Sequence, residues 1–165
     1  MIGLCIWEKR WGFISFVILL FGVIAVLTSF NLNNRLTGYY QYAINFYTGK
    51  TPLITYMKYF DQRVPRNYEL ANYIKMNTTK DDNIFIWGNN AEIYKLSDKL
   101  PIMRYVVAYH ITYFPTGMSE MKKAISDKKP KLIIVAPDYS PFPLSLKNYR
   151  EKINIAGAIV YEKIY

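Results

Sequence analysis

The sequence predicts an α/β protein: one N-terminal transmembrane helix followed by a small layered α/β domain with a partly parallel sheet. Three observations predict it. No charged residue occurs between Arg10 and Arg35. Two short, wholly apolar runs, Ile84–Trp87 and Leu132–Val135, stop at turn residues and read as strands buried on both faces. Around them, apolar residues recur at helical spacing.

The uncharged run contains WGFISFVILLFGVIAVLTSF, residues 11–30, whose only polar side chains are Ser15, Thr28 and Ser29. Those hydroxyls can bond back to their own helix. About 20 apolar residues at ~1.5 Å each cover the roughly 30 Å hydrocarbon core, and only a helix satisfies its own backbone there. A buried core helix would show a polar stripe, and this one shows none. A cleaved signal peptide would be shorter and end in small residues, which Val26-Leu27-Thr28 does not match. Residues 1–34 are therefore expected to form the anchor, with Asn31–Asn34 as a polar break. Lys9 and Arg10 before the helix and Arg35 and Lys50 after it leave the positive-inside count nearly tied.

Residues 35–64 are expected to hold juxtamembrane aromatic helices. Tyr39, Tyr40, Tyr42, Phe46 and Tyr47 form either an interfacial helix or part of a soluble core. Gly49-Lys50-Thr51-Pro52 breaks the pattern. A second aromatic helix, Leu53–Phe60, is expected to end at Val64-Pro65.

Residues 65–165 alternate as a layered domain. Asn67 is expected to cap a helix reaching about Met76, with Leu70, Ala71 and Ile74 on one face. Lys80-Asp81-Asp82 makes a turn before the strand Ile84–Trp87. A short helix spans Ala91–Leu96, and Ile102–Val107 is expected as a second strand. Ser119–Lys128 reads as a helix, with Met118, Met121 and Ile125 at helical spacing, stopped by Pro130. The strand Leu132–Val135 closes at Pro137. Leu144–Ile153 is expected as a helix and Ala158–Tyr165 as an edge strand.

Net charge is +9, nearly all of it after the anchor. The basic residues do not cluster along the sequence. The densest run, Lys128-Lys129-Pro130-Lys131, falls at a helix end, where lysines offset the macrodipole. A solvated basic surface facing anionic headgroups or lipid-linked substrates is the reading adopted, with no nucleic-acid partner. Cys5 is the single cysteine and His110 the single histidine, so no metal site and no cofactor are expected. No phosphate-binding glycine loop and no nucleophile elbow occurs. Asn77-Thr78-Thr79 is a glycosylation sequon, and Asn77 also fits a helix end.

Candidate ligand contacts are Trp87, Asn89, Arg104, Tyr105, Tyr109, His110 and Asp138. Trp87-Gly88-Asn89 and Asp138 follow the two apolar strands, and in open α/β sheets ligands sit at that end. The plainer alternatives are a turn with Gly88 at positive φ and an Asp138 that caps the next element. Tyr105, Tyr109, His110, Tyr113 and Phe114 could stack on sugar rings or belong to core or interface.

The order "GYYQYAINFYTGK", "NYELANYIKMNTTKDDNIFIWGNNAEIYKLSDKLPIMRY", "KKPKLIIVAPD" and a closing "AIVYEKIY" resembles the C-terminal end of multi-spanning glycosyltransferases that use polyprenyl-phosphate sugars. That group is the dolichyl-phosphate-mannose protein mannosyltransferase-like branch of the GT-C superfamily. The matching residues are Glu69, Leu70, Ala71, Ile74, Asp82, Ile84, Trp87, Gly88, Tyr94, Arg104, Tyr105, Pro130, Lys131 and Ile133 to Val135. The resemblance covers Gly38 to Tyr165. It implies an extracytoplasmic domain that shapes the acceptor side beside a catalytic membrane portion, with a lipid-linked sugar nearby. The family's acidic catalytic loop has no counterpart here, so no catalytic residue is carried over. Three functions follow as expectations: such a tail domain, a single-pass anchored binding module, or a small enzyme using Asp138 or His110.

Overall fold

The computed structural model describes residues 2–30 and 32–164, and of residues 2–10, 32, 33 and 35 the backbone alone. The side chains of Lys9, Arg10 and Arg35, on which the orientation count turns, therefore lie outside the described residues, as does that of Cys5. The chain divides into two units between Tyr59 and Phe60.

The first unit is helical. Helix α1 runs Ile2–Ser29, and its Trp11–Ser29 segment is long and apolar enough to cross a membrane, with none of it buried. Thr28 Oγ1 donates back to the Ile24 carbonyl at 2.8 Å, so its hydroxyl is satisfied within the helix. The expected polar break is shorter than read: α2 spans Leu32–Tyr47, which takes up all of it except Asn31, which lies outside the described residues. After the turn at Gly49 comes α3, Leu53–Phe60. The aromatic stretch pairs these two helices. Tyr42 stacks on Tyr59 at 3.8 Å between centroids, and Phe46 stacks on Tyr56 at 4.7 Å.

The second unit is the α/β domain. It comprises α4 (Val64–Asn77), β1 (Ile84–Trp87), α5 (Glu92–Leu96), α6 (Ala108–Tyr113), α7 (Gly117–Lys128), β2 (Leu132–Val135), β3 (Tyr149–Ile155) and β4 (Ala158–Lys163). The sheet order is β1-β2-β4-β3. β1 and β2 pair in parallel, with Ile84 opposite Leu132 and Trp87 opposite Val135, and the other pairs are antiparallel. The mixed sheet agrees with the partly parallel one read from the sequence.

Two apolar layers enclose the sheet, because alternate strand residues face opposite sides. Ile84, Ile86, Leu132 and Ile134 pack with Leu70 and Ile74 of α4 and Ile93 of α5. Phe85, Trp87 and Ile133 pack with Ala108 and Ile111 of α6 and Met121 of α7. Such two-sided burial is why β1 and β2 are continuous apolar runs.

Five sequence expectations are corrected. Val64-Pro65 opens α4, since proline suits the first helical turn, where its missing N–H costs nothing. Asn67 is accordingly inside α4, buried, and its amide donates to Glu92 Oε1. Ile102–Val107 is not a strand. It bends after a single bridge from Pro101 to Ile84, and Ile102, Met103 and Tyr105 lie against the Phe85–Trp87 face. Leu144–Ile153 is not a helix. Leu144 and Leu146 pack on that same face and the chain then enters β3, which pairs with β4. β4 is thus an interior strand and not an edge, and β1 and β3 form the two edges of the sheet.

Candidate functional site

Parallel pairing sets the C-terminal ends of β1 and β2 side by side, and the loops that follow stay joined. Ala136 N–H donates to the Trp87 carbonyl at 2.9 Å, and Trp87 Nε1 donates to the Ser140 carbonyl at 2.7 Å. Gly88 is required by this approach. A Cβ there would lie 2.6 Å from the Ala136 Cβ, whereas its φ is not positive, contrary to the turn reading. Trp87 is 1% exposed, edge-on to Tyr139 and Phe142 at 5.7 Å each, so its indole is a wall of the core.

Asp138 does not cap an element. Its two oxygens accept from Arg66, Nη1 at 2.6 Å and Nη2 at 2.9 Å, a bidentate fork from the first turn of α4. Arg63 Nη1 lies 3.8 Å from Oδ2. Burial pushes the Asp138 carboxyl up, but Arg66, with Asn90 and Arg63 beside it, outweighs burial and holds it below the ordinary carboxylate range. Asn90 lies close enough to contribute through its dipole, although its buried amide makes no hydrogen bond of good geometry. A carboxylate held ionised by a guanidinium is a poor proton acceptor, so Asp138 is suited to tying α4 to β2.

The remaining candidates meet on α6. Asn89 Oδ1 accepts the Tyr109 backbone N–H at 3.2 Å, and the Ala108 N–H donates to the Gly88 carbonyl at 2.9 Å, which fixes the start of α6 to the β1 loop. A ladder of rings follows. Tyr109 contacts His110 at 4.0 Å, His110 contacts Phe114 at 5.8 Å, and Tyr105 stacks on Phe114 at 5.3 Å. The Arg104 guanidinium lies 4.7 Å over the Tyr105 ring, and its Nε donates to Glu120 Oε2 at 2.9 Å. Tyr109, Tyr113 and Phe114 are exposed, Tyr113 at 79%. Five of the seven candidates therefore share one surface, while Trp87 and Asp138 serve the interior and the α4 junction. Among the described residues, no hydrogen bond links His110 to a hydroxyl or carboxylate, and no three metal-ligating side chains gather.

Sequence reading missed two groups. Arg66 sat beside Asn67, which drew attention as a cap. Four lysines scattered along the chain, Lys122, Lys129, Lys147 and Lys163, converge around one groove of about 650 Å³.

A long apolar helix followed by a mixed sheet layered with helices defines a small α/β domain behind an N-terminal apolar helix. Residues 66–161 match the model of the family described as "Putative competence-induced protein Ccs4 C-terminal domain". That match covers more than half of the chain, and the chain belongs to this family. No curated protein and no solved structure matches it. The family assignment overturns the resemblance to polyprenyl-phosphate-sugar glycosyltransferases. The residues that carried it, such as Leu70, Ile84, Trp87 and Ile133, are core positions that many α/β domains would fill alike.

Proposed function

We propose that the chain is a single-pass, membrane-anchored binding module that performs no catalysis, with the aromatic ladder of α6 as its recognition face. The ladder is the observation that carries this reading. Contiguous exposed aromatics mark interaction sites, and tyrosine and arginine are the side chains that dominate interface energetics. A protein is the partner we propose, because exposed tyrosines beside an arginine are the side chains that interfaces favour. Tyr105 already engages Phe114 and Arg104, whereas Tyr113 offers an exposed ring and hydroxyl.

The anchor is supported by the Trp11–Ser29 segment, none of which is buried in the protein. Lipid is the solvent in which such a surface costs nothing. The role as a glycosyltransferase tail, and the extracytoplasmic placement with it, rested on the overturned resemblance and form no part of this reading. The family description refers to competence, so competent cells are the setting for the test.

The test places a photoreactive phenylalanine analogue at Tyr113 of the full chain, with Tyr68 on α4 as control. A discrete adduct from position 113, absent from position 68 and weakened by Tyr109→Ala, is the expected result. Equal labelling at both positions, or none at 113, would sink the proposal.

A further inference from the structure

We propose that the groove between α7 and the turn before β3 docks phosphate headgroups of an anionic bilayer. The proposal rests on the membrane-anchored reading above. Lys122 and Lys129 approach from α7 and its end, Lys147 from the turn, and Lys163 from the end of β4. Among the described residues, no carboxylate lines the groove. Glu162 pairs with Arg150 and Lys152, Asp82 with Lys131 and Glu120 with Arg104, while Asp127 lines a separate cavity with Arg104 and Lys123. Lys122, Lys129 and Lys147 form no ion pair among the described residues.

Lysines at a helix end offset its dipole, which accounts for Lys129. It does not account for Lys147 and Lys163, which arrive from other elements. Lys129 also stands at φ 44, a left-handed position where glycine is the easier residue. Lys122, Lys129 and Lys147 are exposed along the groove, and three like charges so placed attract an anion.

The lining decides the kind of anion. The groove holds point-charge lysines and no arginine fork, which suits phosphate without fixing its orientation. Ile125 and Ile164 are apolar, and Ile164 is exposed at the rim, where glycerol and upper acyl carbons would lie. Nucleic acid would call for open aromatic faces on which bases stack. Among the described residues the ring in the groove is Tyr149, half-buried with its hydroxyl donating to the Pro130 carbonyl at 2.8 Å.

The test uses the full chain in nanodiscs of phosphatidylcholine alone or mixed with phosphatidylglycerol, with lysine acetylation read by mass spectrometry. A lysine near an anionic surface gains about fivefold in local attraction. The mixed bilayer should therefore slow acetylation of Lys122, Lys129 and Lys147 severalfold, leaving Lys80 and Lys95 unchanged. In the double variant Lys122→Glu, Lys147→Glu, protection of Lys129 should vanish while the thermal melt stays put. Uniform protection of all lysines, or none, overturns the proposal. So does stronger protection by inorganic phosphate or a single-stranded oligonucleotide in the zwitterionic discs, which would assign the groove to those anions. Carbonate extraction reports the anchor separately. If the chain is released, the anchor reading fails, and added anionic vesicles must then protect the same three lysines or the groove proposal falls too.

Discussion

Arg66 and Asp138 form a two-point ion pair across 72 residues of sequence, joining the first turn of α4 to the loop after β2. Their side chains are 9% and 18% exposed, so solvent screens the pair only in part. Asp138→Asn should strand the Arg66 charge and cost about 3 kcal/mol, since removing one partner of a buried pair leaves the other uncompensated. Arg66→Met combined with Asp138→Leu should recover most of that loss. Denaturant melts of the unmodified chain and these two variants in detergent check it. Equal stabilities for the single and double variants would show the pair to be passive.

Acid should destabilise the domain below about pH 4. Asp61 is lowered to about 2 by its hydrogen bonds with Arg63. Asp82 is lowered first by the Thr79 backbone N–H, and Glu162 by Lys152 and Arg150. Asp138 is lowered as described above. A lowered folded pKa means that the unfolded chain takes up protons first as pH falls. The stabilisation is complete above the unfolded values and is lost as pH drops through the folded ones. Melting temperature should hold from pH 7 to about 5 and fall steeply below about 4, with a shallower fall for Asp138→Asn. A level profile down to pH 2 would contradict the geometry.

The open edge of β1 is closed by a side chain. The Ile86 N–H donates to the Tyr94 hydroxyl at 3.0 Å, and Tyr94 is buried. Its phenol pKa is raised, chiefly by burial. Tyr94→Phe should leave a buried N–H unpaired and cost about 1–3 kcal/mol, with faster amide exchange at Ile86. Unchanged exchange there would mean that the hydroxyl is dispensable.

The strands β1 and β2 were legible because burial on both faces demands an unbroken apolar run. Ile102–Val107 carries a similar local signal, but it lies over the Phe85–Trp87 face, and no local periodicity separates a strand from an apolar loop that covers one. β3 was misread because an edge strand buries little: only Ile155 of its seven residues is buried. At the candidate site, Asp138 could be found because it follows a recognisable strand. Its partner Arg66 could not, since long-range pairs leave no spacing signal. The basic residues likewise looked dispersed because the groove draws them from three elements.

The β3–β4 hairpin turns on Ala156 and Gly157, at φ 47 and 87. Two successive left-handed residues are what a two-residue hairpin turn of matching twist requires. Glycine meets no steric clash there, but alanine does. Ala156→Asn should therefore stabilise the domain by about 0.5–1 kcal/mol, read as a raised melting temperature. A lowered one would show that the turn owes its shape to the flanking strands alone.

The anchor makes the last prediction. Leu20 lies mid-way along Trp11–Ser29 and is exposed. A charge at the centre of a spanning helix costs about 2.5–3.5 kcal/mol on the insertion scale, so Leu20→Arg should lower the carbonate-resistant fraction, whereas Leu20→Phe should not. A cleaved leader would respond differently: the mature chain would lack this segment and appear in the supernatant. A pair of cysteine variants also reads the side of the bilayer. Met76 and Leu100 are 86% and 85% exposed, and each can be replaced by cysteine in a Cys5→Ser background. An impermeant maleimide should label both positions before lysis, or both only after it, because both belong to the α/β unit. Labelling of one position but not the other would be incompatible with a single orientation of that unit, and loss of carbonate resistance in the unmodified chain would remove the anchor altogether.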